Sequence, residues 1–207
     1  KPTNITISEK REERAAELIA RYKVANAELA TNVAQSDLIL LVVKPQDMAT
    51  VLAEIAPVIS KGVLVISFVA GKQIRSIADQ IGTSANPVIR VMPNTPTLVG
   101  AGMAAISVGT GVSSTHKDFV AGFLAATGKV VEVNEELQDA VTATSGSGPA
   151  YFFAFVEGTL ISTFLGLSVA SEDVFLVFVD ATLSFLADFF VDAGWCFIDK
   201  DFSFFFP

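Results

Sequence analysis

Four short clusters in the first half of the chain combine small, rigid and polar residues: Ser8-Glu9-Lys10-Arg11, Lys44-Pro45-Gln46, Ala70-Gly71-Lys72 and Met92-Pro93-Asn94-Thr95-Pro96. Each suits a different part of one binding task. Lys10 and Arg11 could grip a phosphate, as basic residues after the second strand of a dinucleotide sheet do; the same pair also suits a solvated helix start. Lys44-Pro45 fixes a turn and presents backbone groups, and Ala70-Gly71 leaves a smooth backbone against which a flat ring or a ribose could lie. In Met92–Pro96 two prolines stiffen an amide and a hydroxyl, which is what orienting a small polar substrate requires. A fifth cluster, Ser145-Gly146-Ser147-Gly148-Pro149, runs straight into aromatics. It reads either as a helix start, with small cap residues and a proline in the first turn, or as a place where a backbone approaches a ligand or neighbouring helix closely.

Several chemistries are excluded or disfavoured. One cysteine, Cys196, rules out a disulfide framework or a cysteine-based zinc site and points to a reducing compartment, hence the cytoplasm. The one histidine, His116, lies in SSTHKD, where a helix is expected to start, and reads as a surface residue. A net charge of −8 argues against a nucleic-acid partner.

The elements that must position the clusters follow from apolar patterning. NITI is strand-like, and Ala15, Leu18, Ile19 and Tyr22 mark a helix on an otherwise charged segment. Leu38 to Val43 is an unbroken apolar run, predicting a strand buried on both faces. MATVLAEIAPVI and IRSIADQIG predict helices; GVLVISFVAGK, NPVIRVMPNTP and GMAAISVG predict further strands. Strands alternating with short helices predict a doubly wound parallel sheet. In such a sheet ligands bind beyond the carboxyl ends of the strands, where the four clusters fall. No glycine-rich G-x-G-x-x-G turn occurs, so the chain is expected to begin at the second strand of the sheet, without the first.

Composition then changes. Residues 151–207 hold one lysine against eight acids, and fourteen of the seventeen phenylalanines. Two long apolar helical runs are predicted, broken near Gly166-Leu167-Ser168. A membrane span is disfavoured because Glu157 would lie near mid-bilayer at a cost of about 2.5–3.5 kcal/mol. A helical core buried by a partner subunit accounts better for so much apolar surface.

Together VVKPQ, VMPNTPTLVGAGM and QDAVTATSGSGPAYFFAFVEG resemble the pyrroline-5-carboxylate reductase family, over about Asp37 to Gly158 without a break and more loosely on either side. The resemblance implies an α/β Rossmann-like NAD(P)-binding domain over 1–133, then an all-helical dimerisation and substrate domain over 134–207. It implies NADPH, or NADH, as cofactor, and hydride transfer to the C=N bond of pyrroline-5-carboxylate to give proline, with no metal. By matching motif, Ser8, Lys10 and Arg11 sense the adenosine ribose and its phosphate, while Val43, Lys44, Pro45, Ala70 and Gly71 line the cofactor. Asn94 stands at the nicotinamide end, and Glu135 and Thr142 near the imino-acid pocket. The family's Ser-Pro-Gly-Gly-Thr-type carboxyl-terminal loop is not found. Two other readings stay open: another Rossmann-plus-helical-domain oxidoreductase, such as a β-hydroxyacid dehydrogenase-like enzyme, and a non-catalytic oligomerisation module. The former would need a lysine in the helical half, where only Lys200 occurs.

Overall fold

The apolar runs form a sheet whose central strands are buried on both faces. In a computed structural model describing residues 4–82 and 86–164, five strands pair in the order β3 (Leu38–Leu41), β4 (Leu64–Ser67), β5 (Val88–Met92), β6 (Gly102–Val108), β7 (Gly128–Glu132). Strands β1 (Thr6–Ile7) and β2 (Ala25–Asn26) form a separate two-stranded parallel pair around α1 (Glu12–Tyr22). Helices α2 (Leu29–Ala34), α3 (Met48–Ile55) and α4 (Ile74–Ile81) precede β3, β4 and β5, and α5 (Ser114–Ala125) connects β6 to β7.

Each helix follows from local chemistry. In α4, Ile74, Ile77 and Ile81 share the buried face, and Gly82, at φ 76°, ends the helix in the left-handed conformation that glycine adopts without penalty. In α5 the Ser113 hydroxyl caps the His116 N–H while the His116 ring accepts from the Ser113 N–H, so the lone histidine closes a capping box.

Helices cover both faces. Val33 of α2, Leu52 and Ile55 of α3, and Ile77 and Ile81 of α4 pack with Ile39, Leu41, Val65 and Val88. On the other face Val120 and Leu124 of α5 pack with Leu64, Ile66, Ile89, Val91, Ala104 and Ile106.

The Rossmann-like α/β architecture is as the sequence predicts, with differences of detail: β1, expected as the second strand of the sheet, pairs only with β2 outside the five-stranded sheet, and neither β2 nor β7 is among the predicted strands. Strand β6 runs antiparallel to β5, while β3–β4–β5 and β6–β7 are parallel. Only residues 93–101 connect β5 to β6, too few for the crossover that a parallel neighbour needs. The run Leu38–Val43 is not buried on both faces. Ile39 and Leu41 are buried, but Leu40 and Val42 are 42% and 72% exposed, because β3 stands at the sheet's edge.

After β7 come a 3-10 turn (Glu135–Leu137), the short α6 (Gln138–Val141), a π turn (Thr142–Gly146) and α7 (Gly148–Phe164). Pro149 lies in the first turn of α7. The predicted break near 166–168, the second apolar run, Cys196 and Lys200 lie outside the described residues. Among the described residues no helix is long and apolar enough to cross a membrane.

Candidate functional site

Parallel pairing of β3, β4 and β5 brings their carboxyl ends side by side, and the Phe68 N–H donates to Leu41 O at 3.0 Å just past the tips of β3 and β4. Val43, Lys44 and Pro45 follow the tip of β3, and Ala70 and Gly71 the adjacent tip of β4. Val43 packs against the α3–α4 core and Lys44 is exposed. Gly71 sits at φ 68°, with its backbone exposed in the turn before α4.

Asn94 leaves the tip of β5 with both ends of its amide engaged. Its Oδ1 accepts from the Met103 N–H at 2.8 Å, and its Nδ2 donates to Ser145 Oγ at 3.1 Å. It thus joins three parts of the fold: the end of β5, the start of β6, and the π turn of the small-residue cluster. In that turn the Ser147 N–H bonds to Thr142 O, five residues back, the widened geometry that recurs at functional sites. A Cβ on Gly146 would meet the movable end of Met92, Cε, at 2.9 Å, and one on Gly148 would lie 3.0 Å from the Ala143 carbonyl oxygen. The small residues serve close approach to the sheet as well as helix initiation.

Ser8, Lys10 and Arg11 cluster at the tip of β1. Ser8 Oγ accepts from Asn32 Nδ2 at 2.9 Å, and Lys10 is exposed. The Arg11 backbone N–H and guanidinium both bond to the Glu9 carboxylate. Partial burial alone would raise the pKa of Glu9, but these hydrogen bonds, with the charges of Arg11 and Arg14, outweigh it and hold the carboxyl below its ordinary value. The cluster expected to sense a phosphate thus carries its own acid.

Glu135 and Thr142 are not placed against Asn94 by any direct hydrogen bond. Thr142 Oγ1 donates to Gln138 O at 2.9 Å. Glu135 Oε1 accepts from the Ile74 N–H, the first residue of α4, at 2.6 Å, and lies 3.7 Å from Nη1 of Arg90. Arg90 is 3% exposed, and its Nη2 donates to Asp139 Oδ1 at 3.0 Å. Across the sheet Arg90 is in register with Ser67 on β4 and Ser107 on β6. Ser107 Oγ accepts from Nε2 of Gln138, which is fully buried. Thus a polar row crosses the otherwise apolar strands β4, β5 and β6, linked to the 135–139 segment through Arg90 and Ser107.

Among the described residues no group of three or more His, Cys, Asp or Glu could hold a metal ion. A shallow, open depression lies at the opposite, amino-terminal end of the strands, lined by Ser36, Asp37, Ser60 and Lys61 among others. It is remote from the tips and brings together no cluster of reactive groups.

The pyrroline-5-carboxylate reductase of Corynebacterium melassecola is 39% identical over 163 residues, which make up 77% of this chain and 60% of that protein. That of Haemophilus influenzae is 40% identical over 155 residues, 74% of this chain and 56% of that protein. The chain belongs to the pyrroline-5-carboxylate reductase family. It spans about three-fifths of the length of these relatives. A family model described as NADP oxidoreductase coenzyme F420-dependent matches residues 1–71. Among solved structures, a pyrroline-5-carboxylate reductase from Coxiella burnetii superposes with a TM-score of 0.72 at 26% identity, over 93% of this chain and 71% of that one. The Plasmodium falciparum enzyme, solved with NADP bound, gives 0.69 at 28% identity, over 91% and 67%.

Sequence reasoning missed Arg90, Ser107 and Gln138, and singled out Ser145 only within its cluster. The available sign for Arg90 was a cation in the middle of a strand whose other residues are all apolar.

Proposed function

We propose that this protein reduces pyrroline-5-carboxylate to proline with NADPH, in the cytoplasm, and that residues 1–133 form its nucleotide-binding part and 134–207 its helical substrate and dimerisation part. The observation that carries the reading is the juxtaposition at the strand tips. Two backbone turns, Val43–Lys44–Pro45 and Ala70–Gly71, follow the tips of the paired strands β3 and β4, and Asn94 is locked between β6 and the Ser145 turn.

The residues fit a nicotinamide nucleotide. Gly71 in the left-handed conformation presents backbone with no side chain in the way, and Lys10 with Arg11 offers positive charge for a phosphate. When bound, the cofactor supplies the hydride that adds to the imine carbon. The chain's own contribution is placement: a protonated cyclic imine already accepts hydride well, so orientation is the main requirement and neither nucleophile nor metal is needed. Asn94 orients the ring at the nicotinamide end, with Glu135 and Thr142 on the segment that leads to Ser145, its hydrogen-bond partner.

A second copy of the chain is the expected partner. Tyr151, Phe152, Phe153 and Phe155 of α7 are 51–71% exposed, an apolar surface that the described residues leave uncovered and that a second copy would bury. Sedimentation velocity tests this, and a purely monomeric species at micromolar concentration would exclude it. The activity test is titration of the purified protein with NADPH by fluorescence, then oxidation of bound NADPH on adding the cyclic imine. Saturable binding without imine-dependent oxidation would favour the oligomerisation-module reading.

A further inference from the structure

We infer that Arg90 is a positioning residue that locks three otherwise separate pieces of the site into one arrangement. Arg90 lies four residues before Asn94 on β5, with its guanidinium almost wholly buried. It faces Glu135, and the same Glu135 oxygen accepts from the N–H that opens α4, three residues after the Gly71 turn. Its other nitrogen holds Asp139, six residues before Ser145. One buried cation is thus tied to the turn that lines the cofactor, to the strand that presents Asn94, and to the segment that delivers Ser145 to Asn94.

The geometry is costlier than stability alone requires. The positions around Arg90 on β5, Val88, Ile89, Val91 and Met92, are buried and apolar, and a buried charge must be paired to be tolerated. An apolar residue here would pack on the helices as Val88 does. It would leave the 135–139 segment without a polar anchor on the strand. A guanidinium can bond two acids at once in a fixed fork, whereas an ammonium acts as a single point charge. What the locked loops are for rests on the imine-reductase reading; that Arg90 locks them does not.

The test is hydrogen–deuterium exchange on the whole protein for wild type, Arg90→Met, Arg90→Lys and Glu135→Gln, with Arg75→Gln, of the exposed Arg75–Asp79 pair, as control. Arg90→Met and Glu135→Gln are expected to speed exchange about tenfold in residues 70–74, 93–97 and 142–148 together, leaving α5 unchanged. Arg90→Lys should show partial rescue, and the control should match wild type. Turnover per bound NADPH should fall about ten- to a hundredfold in Arg90→Met. The inference is overturned if the three segments do not respond together, if α5 speeds up by the same factor, or if lysine rescues nothing. Should Arg90→Met fail to fold, Arg90→Lys and Glu135→Gln decide by the same pattern. If the wild type neither binds NADPH nor reduces the imine, the functional reading falls, and the exchange pattern still judges Arg90.

Discussion

Asn94 is where the proposed chemistry can be separated from stability. Replacing it with alanine removes both of its hydrogen bonds, to the Met103 N–H at 2.8 Å and to Ser145 Oγ at 3.1 Å. At about 0.5–1.5 kcal/mol each the loss is about 1–3 kcal/mol. A chain of this size loses about 2–4 °C of melting temperature per kcal/mol, so the melt should fall by roughly 2–12 °C. Asn94→Asp is the sharper variant. One carboxylate oxygen can still accept from Met103, and the Ser145 hydroxyl, free to rotate, can donate to the other. Its melt should therefore stay within about 2 °C of wild type. Catalysis should not survive. If Asn94 borders the imino acid, a new negative charge roughly 5 Å from the substrate carboxylate, at an effective dielectric of about 20, costs about 3 kcal/mol. That is a loss of more than about a hundredfold in kcat/KM. Differential scanning fluorimetry and steady-state kinetics on the two variants measure both quantities. An Asn94→Asp protein that melts like wild type and turns over within about threefold of it would refute the placement of Asn94 at the substrate.

Two further expectations concern the rest of the fold. If Arg11 grips the cofactor phosphate, Glu9 competes for it, so Glu9→Gln should tighten NADPH binding by up to about fivefold, an exposed pair being worth about 0.2–1 kcal/mol, and leave NADH binding unchanged in parallel fluorescence titrations. Because the Glu9 carboxyl is held below its ordinary 4.5, its pairing with Arg11 contributes fully above that value and is lost as pH falls through the lowered one; only acidification through that lowered value should therefore mimic the substitution, and equal pH profiles for wild type and variant would reject it. At the β6–β7 edge, Gly128 lies at φ 148°, and a Cβ there would collide with the Gly102 carbonyl oxygen, whereas Gly100, at φ 73°, has open space around it. Gly100→Ala should cost about 1–2 kcal/mol from backbone strain alone, and Gly128→Ala at least about twice that, read as melting temperatures; equal costs would show that β7 moves aside freely.

How far the sequence discloses this molecule depends on whether a feature is written in one segment or in the meeting of two. Strands β3 to β6 were legible because each apolar run carries its own pattern, whereas the short β2 and the half-polar β7 (GKVVE) were not, and Asn94 stood out because two neighbouring prolines stiffen it. The reversal of β6 is not in any strand's pattern; it follows from the length of the 93–101 connection. The exposed face of β3 could not be read, since Leu38–Val43 looks the same whether one face or two are covered, and only strand order decides. Glu135 shows the limit most clearly. Family resemblance puts it near the imino acid, yet its direct partners are the first N–H of α4, sixty-one residues away, and a cation on β5. Nothing in EELQDAVT announces either. The row of Ser67, Arg90 and Ser107 exists only because register aligns three strands, and a lone arginine in VIRVM has no visible counterpart until it does. Sequence therefore names the groups that can touch a ligand more readily than those that hold them in place, because the former need particular residue types and the latter need particular neighbours.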